Sequence, residues 1–292
     1  MRKSKLTVCA VFKDEAPYLE EWLSFHELMG ATKFVLYNDD STDNFMGILE
    51  PWIAAGKVTL RSTRTPIFRR ARVQSEIYNH CLNRERISSS WLAFLDLDEF
   101  LFSPTGLPLP EVLDTYRRFP AVLVRWLLFG SGGHRTASEA GVLESYLWCQ
   151  GIESAIKDDF DHGKRADHDS YVTGWSRCGK TVVNPLGVWR MGIHLPLGRA
   201  RTLTVEEDFK TQRWRSAPGT PFSADALRIN HYWSKSIEEL TAKIERGAVS
   251  TRGRHKRNLA MALGREKGLN NVYDTTILKV RDAFISNRKS GV

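Results

Sequence analysis

Cysteine is scarce in this chain of 292 residues: Cys9, Cys81, Cys149 and Cys178 lie far apart, with no C-x-x-C pair. That spacing excludes a paired-cysteine zinc site and a dense disulfide framework. It leaves reduced, mostly buried thiols, which fits a cytoplasmic protein. Long apolar runs are missing as well. No stretch approaches the roughly 20 uninterrupted apolar residues of a membrane span. The basic start, with Arg2, Lys3 and Lys5, meets Lys13, Asp14 and Glu15 before an apolar stretch of signal-peptide length can develop. The expectation is a soluble, unprocessed chain. No G-x-G-x-x-G follows the first strand and no G-x-x-x-x-G-K-[ST] occurs, which removes the dinucleotide fingerprint and the P-loop as ways of holding phosphate. Internal repeats and low-complexity tracts are also absent.

What is there is a globular composition, 42% hydrophobic, with 42 Lys and Arg against 34 Asp and Glu. The net charge of +8 suits an anionic ligand, a nucleic acid or an anionic membrane face, and does not choose among them. The first hundred residues alternate strand and helix signals. "KLTVCAVF" reads as a strand, and "DEAPYLEEWLSFHELMG" as a helix with Leu19, Trp22 and Leu23 on one face and Gly30 as its stop. "KFVLYN" reads as a second strand, followed by a helix over Phe45 to Ala55, a strand over Lys57 to Arg61, a helix over Arg72 to Asn83 and the strand "WLAFLD". This order predicts right-handed crossovers and a mainly parallel α/β sheet with its ligand cleft at the carboxyl ends of the strands. Further on, "PLPEVLDTYRRF" reads as a helix, and "AVLVRWLLFG", "GKTVVNP" and "GVWRMGIHL" read as strands. Residues 157 to 171 read as a charged surface loop, and the chain from Ser236 as a basic helical tail. The organisation is thus one domain over residues 1–235, with a nucleotide-binding half to about 104, an acceptor half beyond it, and an extension over 236–292.

The segment "WLAFLDLDEFLF" poses the chemical question, because Asp96, Asp98 and Glu99 interrupt a run that otherwise belongs in a core. Buried carboxylates need water, a cation or a donor. Two further D-x-D triplets, Asp159 with Asp161 and Asp167 with Asp169, fall in the charged loop and read as a solvated face. Only Asp96 and Asp98 terminate an apolar strand. Oxygen ligands there suit Mg²⁺ or Mn²⁺ bridging to phosphates, while pairing with arginine or capping the next segment is an equal alternative on these residues alone.

Five ordered blocks, "VCAVFKDEAPYLEEWLSFHELMGATKFVLYNDDSTD", "QSEIYNHCL", "WLAFLDLDEFL", "RWLLFGSGGH" and "INHYWSKSIEELTAKIERG", resemble family 92 glycosyltransferases and the related family 2-like bacterial group over residues 6 to 250. The resemblance implies a GT-A fold, a divalent cation, a UDP-linked sugar donor and inversion at the anomeric carbon. By the same resemblance Asp96 and Asp98 match the family's D-x-D, the first near the ribose or a metal-bound water, the second on the metal. Glu99 is either an orienter of that loop or a substrate contact. Glu15, Asn38, Asp39, Gln74 and Asn79 are placed around the nucleotide, with Asp39 the first choice for the uracil N3–H. Asn38 and Asp40 depart from the family 2 pattern. A helix-start charge is the competing account for Glu15, and Asp43 reads as a helix cap.

For a third metal ligand, His194 and His231 compete, with His194 slightly ahead, whereas His26 and His80 read as structural. Lys235 and Arg246 would neutralise diphosphate, although a solvated helix face is the default for Arg246. Glu144 leads as the general base, against a surface salt bridge, with Glu207 and Asp208 behind it. The reading is a metal-dependent inverting glycosyltransferase acting on a glycan or glycolipid hydroxyl. Its tail, with "RGRHKR", would dock at an anionic membrane, on the inner face, or at a glycan. A glycan-binding module without activity is the alternative. A nucleic-acid-binding protein is disfavoured, because the basic residues are scattered and no recognition signature is present.

Overall fold

The apolar runs at the start of the chain form a parallel sheet because each can be covered on both faces. The computed structural model describes residues 4–64, 68, 73–151, 179–210, 223–246 and 259–290. In it β1 (Ser4–Phe12), α1 (Ala16–Leu28), β2 (Lys33–Asn38), α2 (Phe45–Ala54), β3 (Val58–Ser62), α3 (Val73–Glu85) and β4 (Ser89–Phe94) follow one another. The strands lie in the order β3-β2-β1-β4, all parallel, with Phe12 beside Asn38 and Cys9 beside Phe94. The carboxyl ends of β1, β2 and β4 therefore meet at one edge, as the alternation predicts. Cys9, Cys81 and Cys149 are buried and unbridged.

Beyond β4 the sheet turns antiparallel. After β5 (Glu99–Phe102) and α4 (Leu109–Asp114) come β6 (Ala121–Phe129), α5 (Val142–Ser145), β7 (Trp148–Cys149) and β8 (Gly179–Val183). Then follow α6 (Arg199–Thr202), β9 (Arg228–Tyr232), α7 (Ile237–Arg246), α8 (Leu259–Glu266), β10 (Val272–Tyr273) and α9 (Thr276–Ser290). Strand β8 joins β4 and β6 antiparallel, while β9 pairs antiparallel with β5 and parallel with β6. The fold is mixed α/β with a mainly parallel amino-terminal half and a helical carboxyl-terminal region. Leu240, Ile244, Ile277 and Val280 of α7 and α9 belong to the same buried cluster as Leu6, Val8 and Trp22.

One expected strand does not form. Gly187–Leu195 shows only an isolated bridge between Met191 and Pro196, because Gly192 turns back to hydrogen-bond Leu195. Strands β5 and β9 were hidden instead, the first directly behind the acids. The charged loop over 157–171 and the run Arg252–Arg257 lie outside the described residues.

His26 shows how an apolar face can carry an imidazole. It is fully buried, and its Nε2 accepts the backbone N–H of Leu101 at 3.1 Å, which leaves Nδ1–H to donate to Trp22 O at 2.8 Å. Burial pushes its pKa down to about 4. The folded value lies below the unfolded one, so this contribution is full above the ordinary histidine range and is lost as pH falls towards about 4. Urea unfolding near pH 7 and near pH 5 is expected to differ by about 2 kcal/mol from this residue, and a His26→Gln variant to show a correspondingly flatter profile.

Candidate active site

Strand β4 ends at Phe94, and the four residues from Asp96 to Glu99 form a tight turn that leads into β5 at Glu99. The turn is closed from both sides: Glu99 N–H donates to Asp96 O at 3.1 Å, and Asp96 N–H donates to Glu99 Oε2 at 3.0 Å. Leu97 points into the core, 2% exposed. The two aspartates consequently meet different partners.

Asp96 faces α3 and β8. Its carboxylate accepts Gln74 Nε2 at 3.0 Å and Lys180 Nζ at 2.9 Å. Lys180 is 1% exposed and lies 3.9 Å from Glu99 Oε1. Burial works against its charge, but Asp96 and Glu99 outweigh that and hold its pKa well above the usual lysine value. Sequence reasoning missed this residue. The signal was a lone lysine in the otherwise apolar strand "GKTVV", a position that requires an acid partner.

Asp98 faces β9 and α7. Lys243 Nζ stands 2.5 Å from its Oδ2, and His231 Nε2 stands 3.4 Å away. Burial alone would raise the Asp98 pKa, yet Lys243 and His231 hold it well below the usual carboxylate range. Glu99 goes the other way. It is 0% exposed, and burial pushes its pKa well up despite Lys180. One Glu99 oxygen orients the turn, while Oε1 is buried with no hydrogen-bond partner. Asp98, Glu99 and His231 each offer a ligand atom, all within 4.8 Å of one another.

That donor set fits a divalent cation. Two carboxylates and an imidazole are suitable ligands for Mn²⁺, and a buried carboxylate oxygen without a hydrogen bond is otherwise costly. Of the two candidate histidines, His231 stands at the acids because β9 pairs Glu99 with His231 directly. His194 packs its ring edge-on to Trp126, 5.4 Å away, and its Nδ1 lies 3.0 Å from Gly179 O. Trp126 also contacts the His231 ring at 4.6 Å, so both histidines flank one indole.

A second group of residues adjoins Asp98. Lys235, in the left-handed region at φ 53°, is buried with its Nζ 3.2 Å from the centre of the Tyr18 ring. Burial brings its pKa down to about 8, with Glu15 and Asp98 opposing. The strained backbone aims a cation where an ordinary conformation would not. Tyr18 and Tyr146 both donate to Glu239, at 2.5 and 2.7 Å, which ties α1 and the segment after α5 to the start of α7.

Several expected nucleotide contacts are occupied within the protein. Asn79 clamps the Met191 backbone, donating to its carbonyl at 2.8 Å and accepting its N–H at 2.9 Å. Asn38 Oδ1 accepts Ser41 N–H at 2.8 Å in a local turn. Asp39 takes the Thr63 hydroxyl at 2.6 Å and remains half-buried at the end of β2. Glu15 makes no side-chain cap for α1; Asp43 does so across the loops, accepting Ala16 N–H at 2.7 Å, and it does not cap α2. Glu15 lies 3.3 Å from Arg246, which also donates to Lys13 O and Asp14 O. Arg246 is exposed, as a helix-face residue would be, yet it makes these contacts as well. Its α7 position grips the loop after β1. His80 shares a 2.7 Å hydrogen bond with the Tyr37 hydroxyl.

The expected base candidates each have a partner within the protein. Glu144 is half-exposed and pairs with Arg281 of α9 at 2.7 Å, so it serves the contact between α5 and α9. Glu207 accepts the backbone N–H groups of Asp225, Ala226 and Leu227, a clasp that fixes the approach to β9. Asp208 pairs at the surface with Lys210 at 2.5 Å. For Glu144→Gln, turnover is expected to stay within about twofold of the parent and stability to fall by ~0.5 kcal/mol, as for an exposed ion pair. Initial-rate assays with thermal melts check this, and a loss of a hundredfold or so at unchanged stability would restore Glu144 as the base.

Comparison with known proteins agrees with the blocks that prompted the family expectation. A glycosyltransferase family 92 protein of Oryza sativa subsp. japonica is 28% identical over 148 residues, 48% of this chain and 24% of that protein. A galactan beta-1,4-galactosyltransferase of Arabidopsis thaliana is 31% identical over 106 residues, 35% of this chain and 21% of that protein. Each match thus spans about a quarter or less of the relative's own length. Among solved structures, that of residues 1–349 of S. aureus TarS aligns with 99% of this chain and 72% of its own, at 11% identity and a TM-score of 0.40. The family model for glycosyltransferase family 92 matches residues 4–216, most of the chain, and the chain belongs to that family.

Proposed function

We propose that this chain is a divalent-metal-dependent, inverting glycosyltransferase that moves a sugar from a UDP-linked donor to a hydroxyl of a glycan or glycolipid. The observation that carries the reading is the cluster of Asp98, Glu99 and His231 at the carboxyl edge of the parallel strands, with one buried Glu99 oxygen lacking a hydrogen-bond partner. Family membership supports sugar transfer, and the galactan galactosyltransferase relative supports a glycan acceptor. UDP and inversion rest on the family resemblance.

Asp98, Glu99 and His231 would hold Mn²⁺ or Mg²⁺, which when bound neutralises charge on the departing diphosphate. The remaining work belongs to the chain. Asp39, at the end of β2, accepts the uracil N3–H, and Asp96, fixed by Lys180 and Gln74, faces the ribose. Lys235 places a second positive charge beside Asp98 and Glu15 for the diphosphate. The acceptor hydroxyl then attacks the anomeric carbon from the face opposite the leaving UDP, with its proton passing to a base.

The test is UDP release from a panel of UDP-sugars with Mn²⁺ and with EDTA. Metal-dependent release is expected. Release undiminished by chelation rejects the metal role, and failure of every nucleotide sugar to bind rejects the reading as a whole.

A further inference from the structure

Among the described residues, the end of the sheet opposite the acids carries an exposed face. Strand β8 runs antiparallel to β4, with Lys180 at the Asp96 end and Val183 beside Leu92, so the residues after Val183 emerge near the start of β4. There Arg86, between α3 and β4, donates to Pro185 O at 2.8 Å and Val188 O at 3.0 Å. Its guanidinium lies 5.0 Å from the centre of the Trp189 ring. Arg190 O accepts Leu197 N–H at 2.8 Å, which folds the segment over a groove of about 510 Å³ lined by Trp189, Arg190, Leu197, Arg199 and Leu203.

Two properties of this face stand together. It is apolar and exposed: Trp189 is 80% exposed, Leu186 58%, and Ile87, next in sequence to the Arg86 that meets Trp189, 82%. It is also basic, since Arg190, Arg199 and Arg201 are exposed and the run from Asn184 to Val205 contains no Asp or Glu. Exposed apolar side chains interleaved with arginines mark an interaction surface.

We propose that this face docks on an anionic lipid bilayer, with Trp189, Ile87 and Leu186 entering the headgroup boundary and Arg190, Arg199 and Arg201 meeting lipid phosphates. Indole rings favour that boundary, aliphatic side chains gain by leaving water there, and arginine pairs with phosphate in a planar, two-point fashion. Charge complementarity to acidic lipid supplies the sign. An acidic polysaccharide fits the face less well. It gives Ile87 and Leu186 no apolar partner, and Asn184, the amide of the segment, already accepts Leu186 N–H at 3.1 Å. Docking by this end directs the acid-lined end of the sheet away from the bilayer.

The experiment is sedimentation of the full chain with vesicles of phosphatidylcholine alone and with vesicles containing phosphatidylglycerol, at low and high salt. Binding is expected to the anionic vesicles only and to weaken with salt. An R190Q/R199Q/R201Q variant and a Leu186→Ser, Trp189→Ser variant are each expected to reduce partitioning about tenfold or more. Melting temperature and UDP affinity should stay as in the parent. Brominated lipid should quench part of the tryptophan emission, and Trp189→Phe should remove that part, which reads the contact without reference to folding. Equal sedimentation of parent and variants overturns the proposal. So does retention on an immobilised acidic polysaccharide without vesicle binding, or a dimer that Trp189→Ser converts to monomer while vesicles are ignored.

Discussion

Asp98→Asn is expected to lower transfer by about a thousandfold or more while leaving the chain folded. Asp98 is the aspartate of the turn that stands with Glu99 and His231, and its charge is held by Lys243 at 2.5 Å and His231 at 3.4 Å. Replacing the carboxylate with an amide of equal size removes one negative ligand from the Asp98, Glu99 and His231 set. Loss of several kcal/mol of leaving-group stabilisation corresponds to that rate factor. Folding should survive because Lys243, a fifth exposed, can turn its ammonium to water when its partner is neutralised. UDP affinity measured with Mn²⁺ should fall about tenfold to a hundredfold, whereas binding in EDTA should match the parent. Single-turnover assays and calorimetric UDP titration check both. Turnover within about threefold of the parent would remove Asp98 from the chemistry.

Lys235→Met separates the lysine's own charge from the cation proposed for the Asp98, Glu99 and His231 cluster. The methionine keeps the length of the side chain and its packing on Tyr18, and removes a charge that burial already disfavours, so melting temperature should hold or rise. The diphosphate loses a preorganised positive partner, for which a fall in kcat of about a hundredfold is expected. Mn²⁺ affinity should be unchanged or slightly tighter, since a neighbouring like charge has gone. Parallel measurement of kcat, Mn²⁺ affinity and thermal stability distinguishes this outcome from a structural role. A purely structural Lys235 would lower stability and leave kcat intact.

The parallel half of the fold was legible because its signals are local. Apolar β-branched runs, Pro17 near a helix start and Gly30 after its end lie within a few residues of what they specify. Gly30 has a second duty that no local pattern shows: a side chain there would meet Pro110 Cδ at 2.6 Å. The antiparallel half was harder to read. Strand β5 begins at Glu99 inside the same apolar stretch that ends β4, so periodicity alone could not find the turn between them.

The site shows the same division. Asp96, Asp98 and Glu99 stand out as acids in an apolar run. Lys180, Lys243 and His231 arrive from β8, α7 and β9, and only the fold brings them together. Asn79, Glu207 and Arg246 mislead for a related reason. A polar side chain that clamps backbone, as each of these does, has the same sequence signature as one that meets a ligand.

The most direct test of the cluster is calorimetric titration of Mn²⁺ into the parent chain and into Asp98→Asn, with and without UDP. A single Mn²⁺ site is expected in the parent, tighter with UDP present and lost or weakened about a hundredfold in the variant. No Mn²⁺ binding by the parent in the presence of UDP, or equal binding by both proteins, would contradict a metal site built from Asp98, Glu99 and His231.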